Sequence, residues 1–416
     1  MMHFTVLEEN EYTEFLDRHP LRTFIQTVEM AKVNEKKGYE SHFVGVKENN
    51  KIICATMMIS HKARFNKKFF YAPRGFLIDF NDKKLLAFFT NELKKYIKNN
   101  DGYVLRIEPE ILYKERDING DIVEHGFNNE QIYQNLLDLG YKHGGFYIEL
   151  DSTKQVRWAF AIDLENKTEE EIFEKMKPNT KNQLRRASKY NITTRELEYN
   201  ELDTFKEMVE SSGQRKNFTA KPLSYYQNMY KGFHEKGYIK YMIAELDVEK
   251  YKESILEELE MSKTKKENTT NSPANQGKIN EFETNIATLY KRLEQANDIQ
   301  KEAGNIVMLA GGMFMTYGTE IVYLFSGSRG EYLLFGGQYF IQWDMIKYGI
   351  KNGYKKYNFY GISGDFSEEN KRHGLYEFKK SFGGTVIEYL GDFDLVVSKP
   401  IYLLHKIIRK LKKKKK

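Results

Sequence analysis

Residues 357–366 read Tyr357-Asn358-Phe359-Tyr360-Gly361-Ile362-Ser363-Gly364-Asp365-Phe366, a predicted strand that runs into a glycine-rich turn. A helix is predicted just before this strand at 338–351, and two strands are predicted before that helix at 306–315 and 321–326. Glycine lets the backbone of such a turn approach a ligand closely, so the turn is a candidate part of a binding site.

The same order of elements occurs earlier in the chain. Asn49-Asn50 is a hairpin signal between two predicted strands, and a predicted helix at 83–98 is followed by a strand at 103–107. An order of strand, strand, helix and strand that appears twice predicts a duplicated α/β (α+β) architecture.

An insertion of different composition separates the first two strands of the second copy, at about residues 246–302. Apolar residues recur there at spacings of four and three, which predicts helices with an apolar seam. The seam residues are Tyr251, Ile255 and Leu259, then Phe282, Ile286, Leu289, Leu293 and Ala296. The pattern predicts an antiparallel helical hairpin, which either projects as an arm that docks a long partner or packs on its own protein.

The composition of the 416-residue chain excludes several classes of protein. Its 40% hydrophobic and 30% charged residues, with only 7 prolines, are typical of a soluble globular protein of two to three domains. The one cysteine, Cys54, cannot form an internal disulfide, which favours a reducing compartment. Residues 1–15 lack the layout of a secretory signal, and no run of 18 apolar residues predicts a membrane span.

The positive charge of the chain is concentrated at its carboxyl end. Eight of the 65 Lys and Arg residues, and no acidic residue, lie in 406–416, beside an apolar helical stripe of Ile401, Leu404, Ile408 and Leu411. The pattern predicts that the tail 401–416 contacts an anionic surface, either lipid or RNA. The alternative is a solvated terminus without a partner.

A second basic stripe recurs every four residues, which places its members on one face of a predicted helix: Lys177, Lys181, Arg185 and Lys189. Like charges at this spacing repel each other by roughly a few tenths of a kcal/mol per pair. An anionic partner such as a nucleic-acid phosphate would relieve that repulsion. The alternative is a solvated helix face.

Motifs for the common nucleotide, hydrolase and metal chemistries are missing. The sequence contains no G-x-x-x-x-G-K-[ST], G-x-G-x-x-G, G-x-S-x-G or H-E-x-x-H. Segment 374–384 instead places Lys379 and Lys380 between aromatic residues and ahead of paired glycines. A lysine in this position could neutralise a developing oxyanion, with Phe378 as a stacking face, and the alternative is an ordinary strand with outward lysines.

Segments 358–366 and 374–384 agree in order with three further motifs, Tyr71–Gly75, Gln155–Trp158 and Gly391–Phe393. Together they resemble the FemA/FemB-type (FemABX) aminoacyltransferases, which synthesise the interpeptide bridge of peptidoglycan. The resemblance runs over nearly the whole chain and includes the position of the helical insertion.

The resemblance implies two acetyltransferase-like (GNAT-like) domains, the first at 1–150 and the second at 151–245 and 303–400. A coiled-coil arm at 246–302 is inserted in the second domain, and the basic tail follows at 401–416. The resemblance also implies a cytoplasmic enzyme that moves glycine, serine or alanine from aminoacyl-tRNA to the lipid-linked peptidoglycan precursor. No cofactor or metal is expected, and association with a second copy or with relatives is left open.

The resemblance also assigns roles to individual residues. The functional lysine of the family falls on Lys379, with Phe378 as its aromatic neighbour near the tRNA end. The family's Arg and Tyr that contact precursor phosphates fall on Lys221 and Tyr225, where lysine keeps the charge but loses the bidentate fork. Further substrate-binding candidates in the matching motifs are Arg74, Tyr360 and Ser363.

One departure from the family pattern lies near the amino terminus. The family often has a lysine eight residues after the glutamine that matches Gln26, and that position here is Asn34. Lys36 is near but out of register, so the sequence leaves open whether this segment contacts a phosphate.

The reaction expected from the resemblance is aminolysis of an ester, with Lys379 stabilising the oxyanion. A rival function is a small-molecule N-acyltransferase that uses acetyl-CoA, but no Arg or Gln has Gly three residues later, as the pyrophosphate loop of that fold normally requires. A second rival is a non-catalytic tRNA- or membrane-binding relative, which the changes at Lys221 and Asn34 leave open.

Overall fold

Two β-sheets and the helices around them make up the structure, a computed structural model that describes residues 1–151 and 153–413. The strands are β1 Met2–Val6, β2 Glu40–Glu48, β3 Lys51–Lys62, β4 Lys68–Arg74, β5 Gly102–Pro109, β6 Leu112–Glu115, β7 Tyr141–His143, β8 Trp158–Asp163, β9 Ile192–Glu196, β10 Ile239–Asp247, β11 Ile306–Tyr317, β12 Glu320–Ser328, β13 Lys356–Gly361, β14 Thr385–Tyr389 and β15 Phe393–Val396. The α-helices are α1 Glu9–Arg18, α2 Val28–Glu35, α3 Lys83–Asn99, α4 Glu130–Asp138, α5 Glu169–Lys175, α6 Pro178–Lys189, α7 Leu202–Lys216, α8 Leu223–Phe233, α9 Val248–Glu267, α10 Gln276–Ala303, α11 Gly337–Lys351, α12 His373–Lys380 and α13 Lys399–Lys413.

Both sheets are mixed, and each contains one parallel pair of strands. The first sheet has the order β1-β2-β3-β4-β5-β15-β7, and the second has the order β6-β14-β8-β13-β12-β11-β10-β9. The parallel pairs are β4 with β5 and β12 with β13, joined by the helices α3 and α11. The predicted α/β class and its duplicated order of elements are therefore confirmed.

Local sequence signals account for much of the first sheet. Asn49 and Asn50 adopt left-handed backbone conformations, with φ of 49° and 61°, and connect β2 to β3 as the predicted hairpin turn. Helix α3 buries Phe89, Leu93 and Ile97 on one face, as its apolar spacing predicts. Burial of that face packs α3 against the sheet.

The two sheets exchange strands. β15 lies between β5 and β7 in the first sheet, although it comes from the carboxyl-terminal part of the chain. β6 comes from the amino-terminal part and pairs with β14 at the edge of the second sheet. The predicted boundary at residue 150 therefore does not separate the two sheets.

A shared hydrophobic core joins the amino-terminal helices to the second sheet. Tyr12 of α1 and Val28 of α2 belong to the same buried cluster as Phe205 of α7, Tyr226 of α8 and Met313 of β11. Because this cluster spans both sheets, burial of its apolar surface stabilises one half of the chain against the other.

Helices α9 and α10 form an antiparallel pair over the predicted insertion. Near one end, Lys266 lies 2.8 Å from Glu283, and near the other end Lys252 donates a 2.9 Å hydrogen bond to Gln300. Leu259 and Leu289 are buried in the seam, as their spacing predicts. That the pair projects as a coiled-coil arm stays a prediction.

The basic tail 401–416 begins within helix α13, and residues 414–416 lie outside the described part of the chain. Tyr402 anchors the helix in a small buried cluster with Tyr103 and Val104 of β5. In the described ranges, no helix combines the length and apolar character that crossing a bilayer requires.

Candidate active site

Lys379 lies in the last turn of α12 and is only 4% exposed. Its Nζ donates hydrogen bonds to the carbonyl oxygens of Tyr360, at 3.2 Å, and Gly361, at 2.7 Å. Burial, with a smaller contribution from the charge of Lys216, lowers the pKa of Lys379 to about 7. The alternative of a strand with outward lysines is wrong, because residues 373–380 are helical and Lys379 points inward.

The last two residues of β13 present the two carbonyl groups that Lys379 contacts, just before the glycine-rich turn. Tyr360 has a φ of 64°, in the left-handed region that non-glycine residues rarely adopt. Its amide donates a 2.7 Å hydrogen bond to Oδ1 of Asn358, which stabilises this conformation. At Gly361 a Cβ atom would lie 2.7 Å from Cγ1 of Val156, so the turn can pack this closely only without a side chain.

A buried polar network holds the Tyr360 ring on the other side of the turn. The Tyr360 hydroxyl donates a 3.1 Å hydrogen bond to Oε1 of Gln155, and the backbone amide of Gln155 donates a 3.0 Å bond to Oε1 of Glu108. The Tyr71 hydroxyl donates to the other carboxylate oxygen of Glu108. Burial raises the pKa of Glu108. The hydrogen bonds from Tyr71 and Gln155 and the charge of Arg74 act in the opposite direction and offset part of this rise.

Arg74 lies near Tyr360 but its guanidinium is engaged within the chain. Its Nε lies 3.1 Å from Oε2 of Glu110, its Nη2 donates a 2.7 Å hydrogen bond to the carbonyl of Val156, and its Cζ lies 3.8 Å from the ring centroid of Tyr389. The Arg74 side chain is 4% exposed. Its role as a substrate contact stays a prediction, and the contacts present show it fixing the walls of the site.

Lys221 and Tyr225 lie at the start of α8, where the aromatic ring faces two ammonium groups. Nζ of Lys37 lies 4.7 Å from the Tyr225 ring centroid, and Nζ of Lys221 lies 6.0 Å from it. Burial and the charge of Lys221 both lower the pKa of Lys37. The rings of Tyr225 and Tyr360 both pack against the hydrophobic cluster that joins the two halves of the chain. Tyr225 therefore lies beside the two lysines and packs on the same cluster as Tyr360, whose carbonyl group accepts a hydrogen bond from Lys379.

Sequence reasoning missed Lys37. Asn34, the position expected from the family spacing, donates a 3.0 Å hydrogen bond from its side chain to the carbonyl of Met30 in its own helix. Helix α2 ends at Glu35, and the turn after it brings Lys37 rather than Lys36 over Tyr225. No signal in the sequence shows how this turn is directed, because its contact is with a residue far along the chain.

The side chains of Ser363 and Phe378 are both engaged within the chain, the first by hydrogen bonds and the second by packing. The Ser363 hydroxyl accepts hydrogen bonds from the amide of Asp365, at 3.1 Å, and from Nδ2 of Asn370, at 3.0 Å. The Phe378 ring lies 5.1 Å from Tyr339 and packs on the core of the second sheet. Both residues support the loop and helix beside Lys379, and their roles in substrate binding stay predictions.

The basic stripe lies on α6, and three of its four members face acidic side chains. Lys177 lies 2.6 Å from Glu377, Lys181 lies 2.7 Å from Glu174, and Lys189 lies 2.7 Å from Glu258. These ion pairs relieve part of the repulsion that the sequence predicts within the stripe. Arg185 instead makes a long 3.4 Å hydrogen bond to Asn182.

The start of α6 packs against the end of α12. The amide of Lys177 donates a 2.9 Å hydrogen bond to the carbonyl of Ser381, and the Thr180 hydroxyl donates a 2.8 Å bond to Oγ of Ser381. The basic stripe therefore begins beside Ser381, which is two residues after Lys379 in the chain. Its far end, at Lys189, contacts α9 through Glu258.

The side chains of the described ranges offer few groups for other kinds of catalysis. Within residues 1–151 and 153–413, no three His, Cys, Asp or Glu side chains are grouped so that they could hold a metal ion. Burial in β3 raises the pKa of the Cys54 thiol, which disfavours the nucleophilic thiolate.

Comparison with known proteins agrees with the sequence-based resemblance. Residues 7–410 match the model of the FemAB family. The chain is 33% identical over 421 residues to the aminoacyltransferase FemA of Staphylococcus epidermidis, an alignment that covers 99% of this chain and 100% of the relative. It is 30% identical over 420 residues to the aminoacyltransferase FemA of Staphylococcus aureus strain MRSA252, with 99% of each chain covered.

The fold also matches a solved structure. The crystal structure of FemX superposes with a TM-score of 0.79 at 24% identity and covers 97% of this chain and 99% of its own. The predicted family and the predicted enzyme class are both confirmed. Because the family match and the curated relatives span almost the entire sequence, this protein is a member of the FemAB family and an aminoacyltransferase.

Proposed function

We propose that this protein transfers glycine, serine or alanine from aminoacyl-tRNA to the stem or bridge peptide of the lipid-linked peptidoglycan precursor. Membership of the FemAB family and the similarity to FemA support this reaction. The observation that carries the proposal is the buried Lys379, whose Nζ donates hydrogen bonds to the carbonyl groups of Tyr360 and Gly361.

Lys379 is suited to stabilise an oxyanion. Its ammonium has three N–H donors, and the carbonyl groups of Tyr360 and Gly361 use two of them. The third donor is then directed at a substrate oxygen. In a buried site this charge-assisted hydrogen bond is stronger than in water, and its geometry is set before the reaction begins.

In the proposed reaction, the amine of the precursor attacks the carbonyl carbon of the aminoacyl ester. A C–N bond forms, and the carbonyl oxygen becomes an oxyanion that accepts a hydrogen bond from Lys379. When this intermediate collapses, the C–O bond to the tRNA ribose breaks, and the ribose oxygen gains the proton that the attacking nitrogen loses. Orientation of the two substrates and stabilisation of charge supply the catalysis.

Lys37 and Lys221 are proposed to bind the phosphates of the precursor. Their ammonium groups approach the same Tyr225 ring, and burial and the charge of Lys221 lower the pKa of Lys37, a cost that a bound anion would offset. A diphosphate carries enough charge to neutralise both. Tyr225 packs on the same cluster as Tyr360, so phosphates bound here are proposed to leave the peptide of the precursor directed toward Lys379.

Helix α6 and the α9–α10 pair are the proposed contacts for tRNA. The stripe of Lys177, Lys181, Arg185 and Lys189 starts beside α12 and ends beside α9. A tRNA bound along this surface would bring its aminoacylated end toward Lys379 at the α12 end. Phosphate contacts from lysine and arginine would supply most of the affinity.

The proposed acceptor carries a lipid, which assigns the reaction to the cytoplasmic face of the membrane. A peripheral contact with that face is proposed for the basic tail at 401–416, of which α13 is the described part.

The test is mass spectrometry of the lipid-linked precursor after incubation with the protein and with tRNA charged separately with glycine, serine or alanine. A mass gain of one residue with one of these donors would support the proposal and identify the amino acid. Absence of a gain with every donor, while tRNA and precursor still bind, would contradict it and favour a non-catalytic relative. Acetyl-CoA offered in place of charged tRNA tests the small-molecule acyltransferase alternative.

A further inference from the structure

The outer face of α13 is apolar although it faces solvent. On its inner face, the Tyr402 hydroxyl donates a 2.9 Å hydrogen bond to Asp394, and the ring of His405 stacks on Tyr103 at 4.6 Å. These contacts fix the rotation of the helix about its axis. The outer face then carries four aliphatic side chains that are between 39% and 58% exposed: Leu403, Leu404, Ile407 and Leu411.

An exposed aromatic residue borders the same helix. Phe65 lies in the turn Arg64–Asn66, and its ring meets that of His405 edge-on at 6.0 Å. The ring is 54% exposed, and the backbone of Phe65 is left-handed, with a φ of 61°. A bulky residue is unfavourable in that conformation, and the exposed ring gains little from burial, so packing within the chain does not explain it.

Basic residues accompany this helix. Lys406 and Lys142 each lie above the Tyr402 ring, at 5.3 Å and 5.4 Å from its centroid. The sequence from Lys399 to Lys416 contains no acidic residue, and Arg64 precedes Phe65 in the turn. Helix α13 therefore combines an apolar outer face with a positively charged sequence.

We propose that Phe65 and the outer face of α13 form one docking surface for a bilayer that contains anionic lipids, with the helix lying along the interface. Aliphatic and aromatic side chains enter the boundary between headgroups and acyl chains, and the lysines remain at the headgroups. Charge alone would suit an RNA, but four exposed aliphatic side chains on one helical face suit a lipid surface. The inference deepens the proposed function and rests on it only for the identity of the lipid-linked acceptor.

The experiment measures cosedimentation of the full-length protein with phosphatidylcholine vesicles, with and without about one third phosphatidylglycerol. We expect binding to the anionic vesicles that weakens as salt is raised, and at least about tenfold weaker binding to neutral ones. Ile407→Ser/Leu411→Ser keeps the charge and removes apolar area, so binding should fall by about tenfold or more. Phe65→Ser should reduce it severalfold.

The control variant is Leu333→Ser, which removes a leucine that is 55% exposed elsewhere on the surface and should bind vesicles as the unchanged protein does. Circular dichroism of each variant checks that the fold is retained. The proposal is overturned if the unchanged protein does not bind anionic vesicles, or if Ile407→Ser/Leu411→Ser binds them equally well. Absence of vesicle binding, together with weaker tRNA binding in Lys142→Gln/Lys406→Gln, would identify an RNA surface instead.

Failure of this inference is distinguishable from failure of the proposed function. Aminoacyl transfer to a water-soluble precursor that lacks the lipid does not require membrane contact. Ile407→Ser/Leu411→Ser should therefore support that transfer at the rate of the unchanged protein. Vesicle binding without any aminoacyl transfer would contradict the proposed function and leave the docking surface standing.

Discussion

Nζ of Lys379 donates a 2.7 Å hydrogen bond to the carbonyl oxygen of Gly361, which joins the last turn of α12 to the end of β13. Burial lowers the pKa of this lysine to about 7, so folding gains nothing from its charge. A buried ammonium whose partners are neutral carbonyls is costly to maintain, which is typical of a group that serves catalysis.

Replacement of this lysine should mainly affect the chemical step. Lys379→Met removes the proposed oxyanion donor, and we expect kcat to fall by about 100-fold or more, as loss of such a donor typically does. The affinity for the precursor should change little, because Lys37 and Lys221 are the proposed phosphate contacts. Single-turnover transfer from charged tRNA, with precursor binding measured separately, tests both expectations.

The matched control for that experiment is Lys380→Met. Lys380 is the next residue, and its Nζ lies 3.7 Å from Glu377 on the outer side of α12. We expect transfer by this variant to remain within about twofold of the unchanged protein, because this ion pair is long and partly exposed and contributes little. Equal loss of activity in Lys379→Met and Lys380→Met would contradict the assigned role.

The lowered pKa of Lys379 also predicts how stability depends on pH. Between pH 7 and the ordinary lysine pKa, the unfolded chain binds one more proton at this site than the folded chain, so the free energy of unfolding rises with pH. The gain approaches about 1.4 kcal/mol per pH unit, or about 2 kcal/mol from pH 7 to pH 9. Lys379→Met should lack this increment. Urea unfolding of both proteins at pH 6 and pH 9 measures the difference, and parallel pH profiles would refute it.

The shared ring of Tyr225 predicts that two lysines from distant parts of the chain act on one anion. Lys37→Met and Lys221→Met should each raise the KM for the precursor by about tenfold and leave kcat nearly unchanged, since each removes a phosphate contact. In the double variant, the KM for the precursor should rise by less than the product of the two single increases, because the lysines share a ligand. Lys36→Met is the matched control and should leave KM unaltered; an equal rise in KM there would show a general effect of charge.

The contrast between Lys37 and α11 illustrates what the sequence could predict. Helix α11, at Gly337–Lys351, was expected at 338–351 because its apolar periodicity is local. The contact of Lys37 with Tyr225 depends on the direction of one turn after α2 and on a distant helix, which no local pattern encodes.

The same reasoning explains the exchange of strands. β6 and β15 are each only four residues long, and each pairs with strands from the other part of the chain. Short strands carry little periodicity, and their partners are selected by tertiary packing. Resemblance to a family located Lys379, whereas its inward direction follows from the helix over 373–380, which the aromatic and glycine pattern did not predict.

The contacts of Arg74 predict that its replacement destabilises the fold. Arg74→Leu leaves the Glu110 carboxylate without its partner in a poorly solvated position, and we expect the free energy of unfolding to fall by about 3 kcal/mol. Arg74→Leu/Glu110→Leu should recover much of that loss, because no unpaired charge remains. Urea denaturation of both variants tests this. A higher KM for the precursor with unchanged stability would instead favour a direct substrate contact.

The ion pairs along α6 allow a test of the proposed tRNA contact in which some variants should weaken tRNA binding and another should strengthen it. Lys181→Gln and Lys189→Gln should each weaken tRNA binding severalfold and lower the salt dependence by about one phosphate contact. Glu174→Gln removes the partner of Lys181, so it should strengthen binding. Lys95→Gln, on α3 beside Glu92, is the control and should have no effect. Filter binding across a range of salt measures all four; weaker binding in Glu174→Gln would mean that α6 does not contact the tRNA, because freeing a lysine at a phosphate site can only add attraction.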